Sequence, residues 1–141
     1  MSILEKKSNE NYLAITTLMN NRIYTPVVHC AYYSSFQLMM HYTYRYSKKT
    51  EERIEREANN QGSHNYYLSL YTEEIKKMNS RNAIQFYKYF SNFKRKRTEA
   101  DYQNIEISER DSIRAKDCAD KIRKFLKLID DEGTSENIYY L

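Results

Sequence analysis

Three histidines, His29, His41 and His64, are the side chains of this sequence best suited to passing protons near neutral pH. Each also has a plainer reading. His29 stands just after an inter-helix connection and reads equally as a core histidine. His64 stands where a helix begins, so the positive helix end would lower its pKa, or it simply caps and packs. His41 sits inside an apolar stretch and reads as packed or at an interface. The three do not form a metal site: His29 and His41 are separated by ~18 Å along one helix, and no cysteine or paired carboxylate adds ligands. We expect neither metal nor cofactor.

The second chemically suggestive stretch is "FKRKRTEADYQN", residues 93–104. On a continuous helix Arg97 and Asp101 are i, i+4 neighbours and can pair. The spacing therefore predicts a structural latch of Arg97, Asp101 and an inward-turned Tyr102. Alternatively Lys94, Arg95, Lys96 and Arg97 form a phosphate track, with Tyr87, Tyr89 or Tyr102 available for stacking on bases. Such contacts position a nucleic acid without cutting it.

Helices must hold these groups. The chain has only two glycines and one proline in 141 residues, too few for the turns of an all-β protein. "SILE" at residues 2–5 is a capping-box pattern, and Pro26 suits the first turn of a second helix. In that helix Val28, Tyr32, Phe36, Met39 and Met40 form a stripe, and Ala31, Ser34 and Ser35 allow a neighbour to approach closely. Residues 48–63 read as a polar extension ending in the loop "NNQGS". Tyr67, Tyr71, Ile75 and Met78 form the next stripe. Ser80 is the expected cap of another helix, with Ala83, Phe86, Phe90 and Phe93 on its inner face. Ser108 and Asp111 open the last helix, whose inner face runs from Ala115 to Ile129. These patterns predict an all-α, up-and-down antiparallel bundle of four to five helices, with one further short segment allowed.

Composition bounds the partners. Net charge is +4, with 23 basic and 19 acidic side chains. Residues 130–141, "DDEGTSENIYYL", hold four acids and no base, so the remainder is more basic still. We expect one domain over residues 1–129 and an acidic tail over 130–141. The basic excess permits an acidic partner such as RNA. Cys30 and Cys118 form no CxxC pair. There is no apolar leader at the start and no run of 18 apolar residues, so the expectation is a cytoplasmic protein without a membrane partner. No Gly-rich phosphate loop, G-x-S-x-G or HExxH motif occurs.

Three stretches in order, "HCAYYSSFQLM", "GSHNYYLSLY" and "RTEADYQNIEISERDSIRAKDCADKI", resemble the HEPN family of small bacterial and archaeal helical proteins. The resemblance spans about residues 8–129. It implies a helical bundle, often a homodimer, in toxin–antitoxin, anti-phage or RNA-processing systems, many members being paired with a nucleotidyltransferase. Some members are metal-independent ribonucleases with an R-x(4–6)-H motif; others lack it and act as partners or scaffolds. Arg22 to His29, "RIYTPVVH", matches that spacing, although Ile23 follows the arginine where a polar residue is usual, and Pro26 interrupts the stretch. The resemblance thus makes Arg22 and His29 catalytic candidates, beside His64. The other reading is a noncatalytic module that docks a protein through its tyrosine-rich faces.

Overall fold

Helix boundaries fall where capping and breaking residues stand. The computed structural model describes residues 1–132, the last two by their backbone alone. α1 (Ile3–Asn20) opens at Ser2, whose hydroxyl accepts from the Glu5 N–H at 3.1 Å. A tight turn follows. Arg22 adopts a left-handed φ of 58°, and the Ile23 N–H closes onto the Leu18 carbonyl at 2.9 Å. α2 (Thr25–Tyr46) then begins with Pro26 in its first turn.

The segment expected to be an extension and a loop is a separate helix, α3 (Glu51–Gln61). The Thr50 hydroxyl caps it by accepting from the Arg53 N–H at 3.2 Å. Ile54 and Ala58, one turn apart, bury its inner side. Glu57 is held by Lys49 and Arg53, each at 2.8 Å, and by the Tyr66 hydroxyl at 2.5 Å. Only Gly62, at a φ of 86°, separates α3 from α4 (Ser63–Met78). α5 (Ser80–Tyr102) is capped by Asn79, not Ser80: the Asn79 side chain accepts from the Asn82 N–H at 3.1 Å. α6 (Glu109–Glu132) opens with the Ser108–Asp111 box, in which each side chain accepts from the other's N–H at 3.1 and 2.9 Å.

The described residues therefore form six helices and no strand, where four to five helices were expected. The added one is α3, whose short, highly charged sequence hides a two-residue apolar stripe. α6 also continues past residue 129. Asp130 lies in its last turn, bonded to the Tyr46 hydroxyl and 3.2 Å from Arg45, so the acidic stretch begins inside the helix. The rest of the expected tail, residues 133–141, lies outside the described residues.

α2 is the central element, with α1, α4, α5 and α6 packed around it. That explains its apolar residues off the main stripe: Val27, Ala31, Leu38 and Tyr42 are buried as fully as Val28, Tyr32, Phe36 and Met39. Small residues set the α1 contact. Ser34 and Ser35 are wholly buried, and Ser8 of α1 donates to the Ser34 carbonyl at 2.5 Å. Phe86 and Phe125 stack with ring centroids 5.2 Å apart, joining α5 to α6. Among the described residues no helix is long and apolar enough to cross a membrane.

Candidate functional site

Three helices bring the chemically suggestive residues to one place. α2 contributes His29, Tyr32, Tyr33 and Phe36, which share a face at i, i+3, i+4 and i+7. α4 contributes His64 and Asn65 from its first turn. α5 contributes Lys94, Arg97 and Asp101.

Arg97 is the hinge of this cluster. Its α5 stripe runs Phe86, Phe90, Phe93, Arg97, Ala100, so the helical phase drives the guanidinium inward, and its side chain is 9% exposed. The guanidinium carbon lies 5.1 Å from the Tyr32 ring centroid and 5.6 Å from that of Tyr33. Nη1 donates to Asp101 Oδ2 at 3.4 Å, while Nε is buried without a hydrogen-bond partner among the described residues. The same Asp101 oxygen lies 3.0 Å from His29 Nδ1. One carboxylate thus joins a buried cation to a histidine whose side chain is 48% exposed. With Asp101 accepting from Nδ1–H, the proton stays on Nδ1 and the other ring nitrogen is left as a base. The His29 ring also rests against Tyr33, centroids 4.5 Å apart.

His64 is in a different condition. Its Nδ1 is hydrogen-bonded to the Tyr32 hydroxyl at 2.7 Å, and its ring stacks on Phe36 at 4.3 Å. Burial, helped by the charges of Arg97 and Lys94, pushes its pKa down to about 4. It is neutral at pH 7 and serves as a packed hydrogen-bonding group. His41 pins the start of α1 to α2, with Ser2 Oγ 2.7 Å from Nδ1 and Glu5 at 3.9 Å from Nε2.

No family model, curated protein or solved structure matches this chain. Its site is therefore read from its own geometry.

Arg22 does not join the cluster: no hydrogen bond or ion pair links it to His29 among the described residues, and its backbone shapes the α1–α2 turn. His29 instead finds its partner 72 positions away. The run Lys94–Arg97 is not one track either. Successive helical residues turn by about 100°, so four in a row point four ways. Lys94 donates to Asn65 at 2.9 Å. Arg95 is exposed and donates to Asn92 at 2.7 Å. Lys96 turns toward α6, and Arg97 is buried, which removes it from any exposed phosphate surface. Of the latch, Arg97 and Asp101 are in contact, but Tyr102 is 76% exposed where an inward turn was expected. Asp101 takes the inward direction, and Tyr102, the next residue of the last turn, is rotated out. Tyr33 and Asn65 were not anticipated. Tyr33 lay in the quoted stretch "AYYSS" and shares the i+4 spacing from His29.

A second buried cation lies elsewhere. Arg123 of α6 donates to Asn9 Oδ1 at 2.8 Å, to the Ser34 carbonyl at 3.3 Å and to Ser8 Oγ, under the Tyr12 ring. Burial lowers its pKa, and its hydrogen bonds tie α1, α2 and α6 together. Among the described residues no group of three His, Cys, Asp or Glu side chains converges as a metal site.

Proposed function

We propose that this chain is a HEPN-like helical protein of an RNA-linked defence or toxin–antitoxin process, acts as a homodimer, and engages RNA beside the His29–Asp101–Arg97 cluster. One observation carries the reading. The three stretches that bear the family resemblance meet: Tyr32 bonds His64, Arg97 lies against Tyr32 and Tyr33, and Asp101 holds His29. Each stretch is ordinary alone, and their meeting gives them a common role. Lys94, whose ammonium reaches Asn65 beside His64, offers a phosphate contact at the cluster.

In this reading His29 is the group placed for proton transfer. Metal-free RNA cleavage needs a base to take the 2′-hydroxyl proton as that oxygen attacks phosphorus, while the P–O5′ bond breaks and the departing 5′-oxygen takes a proton from water or from the protonated base, leaving a 2′,3′-cyclic phosphate. An Asp-backed imidazole with an exposed edge meets that need, whereas neutral, stacked His64 and turn-forming Arg22 do not. Incubation with structured and unstructured RNA in chelator tests it. The expected result is cleavage that falls at least 100-fold in His29→Ala and persists in His64→Gln. RNA retention should weaken in a Lys94→Glu variant, with a shallower salt dependence.

A second reading is a noncatalytic interaction module or nucleotidyltransferase partner. It is favoured by the use of Arg97 and His64 in packing. RNA retention without cleavage would support it over the ribonuclease; absence of any RNA retention would remove the RNA-linked reading altogether.

A further inference from the structure

α3 is joined to the bundle differently from the other helices. Both of its ends are breaks. Before it, Ser47 and Thr50 are extended and the chain bends at Lys48 and Lys49. After it stands Gly62, at a φ of 86°. Its eleven residues are too few to hold a helix in water unaided. Packing must supply the rest, and α4 is its principal neighbour. Yet Ile54 and Ala58 are the only α3 residues that are buried.

One carboxylate closes the arrangement. Glu57 gathers Lys49 from the connection before α3, Arg53 from α3 itself and the Tyr66 hydroxyl from α4. The Lys49 ammonium also lies 5.7 Å from the Tyr66 ring centroid. Hydrogen bonds from Lys49, Tyr66 and Arg53 hold the Glu57 carboxyl down at about 2, so it is charged at neutral pH and the latch stays closed there.

Tyrosines of α2 and α4 lie next to α3. Tyr66 and Tyr67 are buried, and the Tyr67 hydroxyl shares a 2.5 Å hydrogen bond with that of Tyr44. Burial, and after it the charges of Glu55 and Glu51, raise the Tyr44 pKa, so acids of α3 face this pair. The arrangement reaches the histidine cluster by two routes. Tyr67 packs edge-on to Phe36, the ring on which His64 stacks. Tyr66, bonded to Glu57 by its hydroxyl, donates its N–H to the Gly62 carbonyl at 3.0 Å in the turn that carries His64.

We infer that α3 is a hinged strap. It opens as a unit about residues 47–50 and Gly62 when Glu57 releases its partners. Opening bares Tyr44, Tyr66 and Tyr67 and loosens the first turn of α4, while α2, α5 and α6 stay packed. The strap depends on no assignment of activity to the cluster.

Hydrogen exchange of the full chain across a denaturant series tests it. In the wild type, α3 amides should exchange through a local opening with shallow denaturant dependence, and α6 amides through a steep, global one. Glu57→Gln should speed α3 exchange at least tenfold, leave α6 unchanged and quicken nitration of Tyr44, Tyr66 and Tyr67. The His64 ring, followed by NMR in that variant, should titrate above its wild-type value of about 4, because the loosened turn admits water. Tyr66→Phe keeps the ring, removes one bond to Glu57 and should act in the same direction; it decides the matter if Glu57→Gln abolishes α6 protection too. The inference is overturned if α3 and α6 share one denaturant dependence in the wild type. It is also overturned if Tyr66→Phe leaves α3 exchange unchanged, or if His64 titrates as before once α3 is freed.

Discussion

Asp101 accepts from two directions at once, and that places His29 and Arg97 under one carboxylate. Arg97→Ala would remove the buried cation and strand the carboxylate behind His29. We expect a loss of about 3 kcal/mol, seen as a lower denaturant midpoint at unchanged slope. His64 gives a pH signature. Its folded pKa of about 4 lies below its ordinary value of 6.5, so the fold favours the neutral ring. The unfolded chain then binds more protons between those values, and stability rises with pH across them. The contribution is complete above about pH 6.5 and is lost as pH falls toward 4. Equilibrium unfolding at stepped pH should show this slope in the wild type, and His64→Gln should flatten it. An equally steep slope in the variant would show that another group carries it.

At the scale of elements, the α3–α4 break depends on one residue. Gly62 sits at a φ of 86°, with nothing within 4 Å of where a Cβ would stand. The penalty for Gly62→Ala is therefore backbone strain without a clash, about 1–3 kcal/mol. Hydrogen exchange should then rise in α3 and the first turn of α4, while α6 stays protected. Capping at Ser2, Pro26 and Ser108 was legible because cap chemistry is local. Choosing Asn79 over Ser80 was not, since both are good caps and the dihedral angles decide. The charged stretch reads as a helical extension of α2; that it forms a helix of its own was not legible, since no glycine or proline stands between Tyr46 and Glu51 to mark the break.

For the whole molecule, stability rests on α2 and the aromatic contacts around it. Phe125 is 1% exposed and stacked on Phe86. Phe125→Ala should cost about 3–5 kcal/mol, measured as a fall in thermal midpoint with helical content retained below it. Loss of all helical signal at low temperature would mean that the α5–α6 contact is required for folding itself.

Sequence alone determined the helical class, most boundaries and the inner faces, because periodicity and capping act within one or two turns. Tyr32, Phe36, Phe90 and Phe125 are buried as their stripes require. Even the inward turn of Arg97 was written in the spacing of Phe90, Phe93 and Arg97. Tertiary structure alone decided that Asp101 meets His29 across 72 positions, that His64 lies stacked and neutral, and that Tyr102 faces outward. Those outcomes depend on how the helices are rotated and set beside one another. Long-range packing of side chains fixes that arrangement, and no local pattern encodes it.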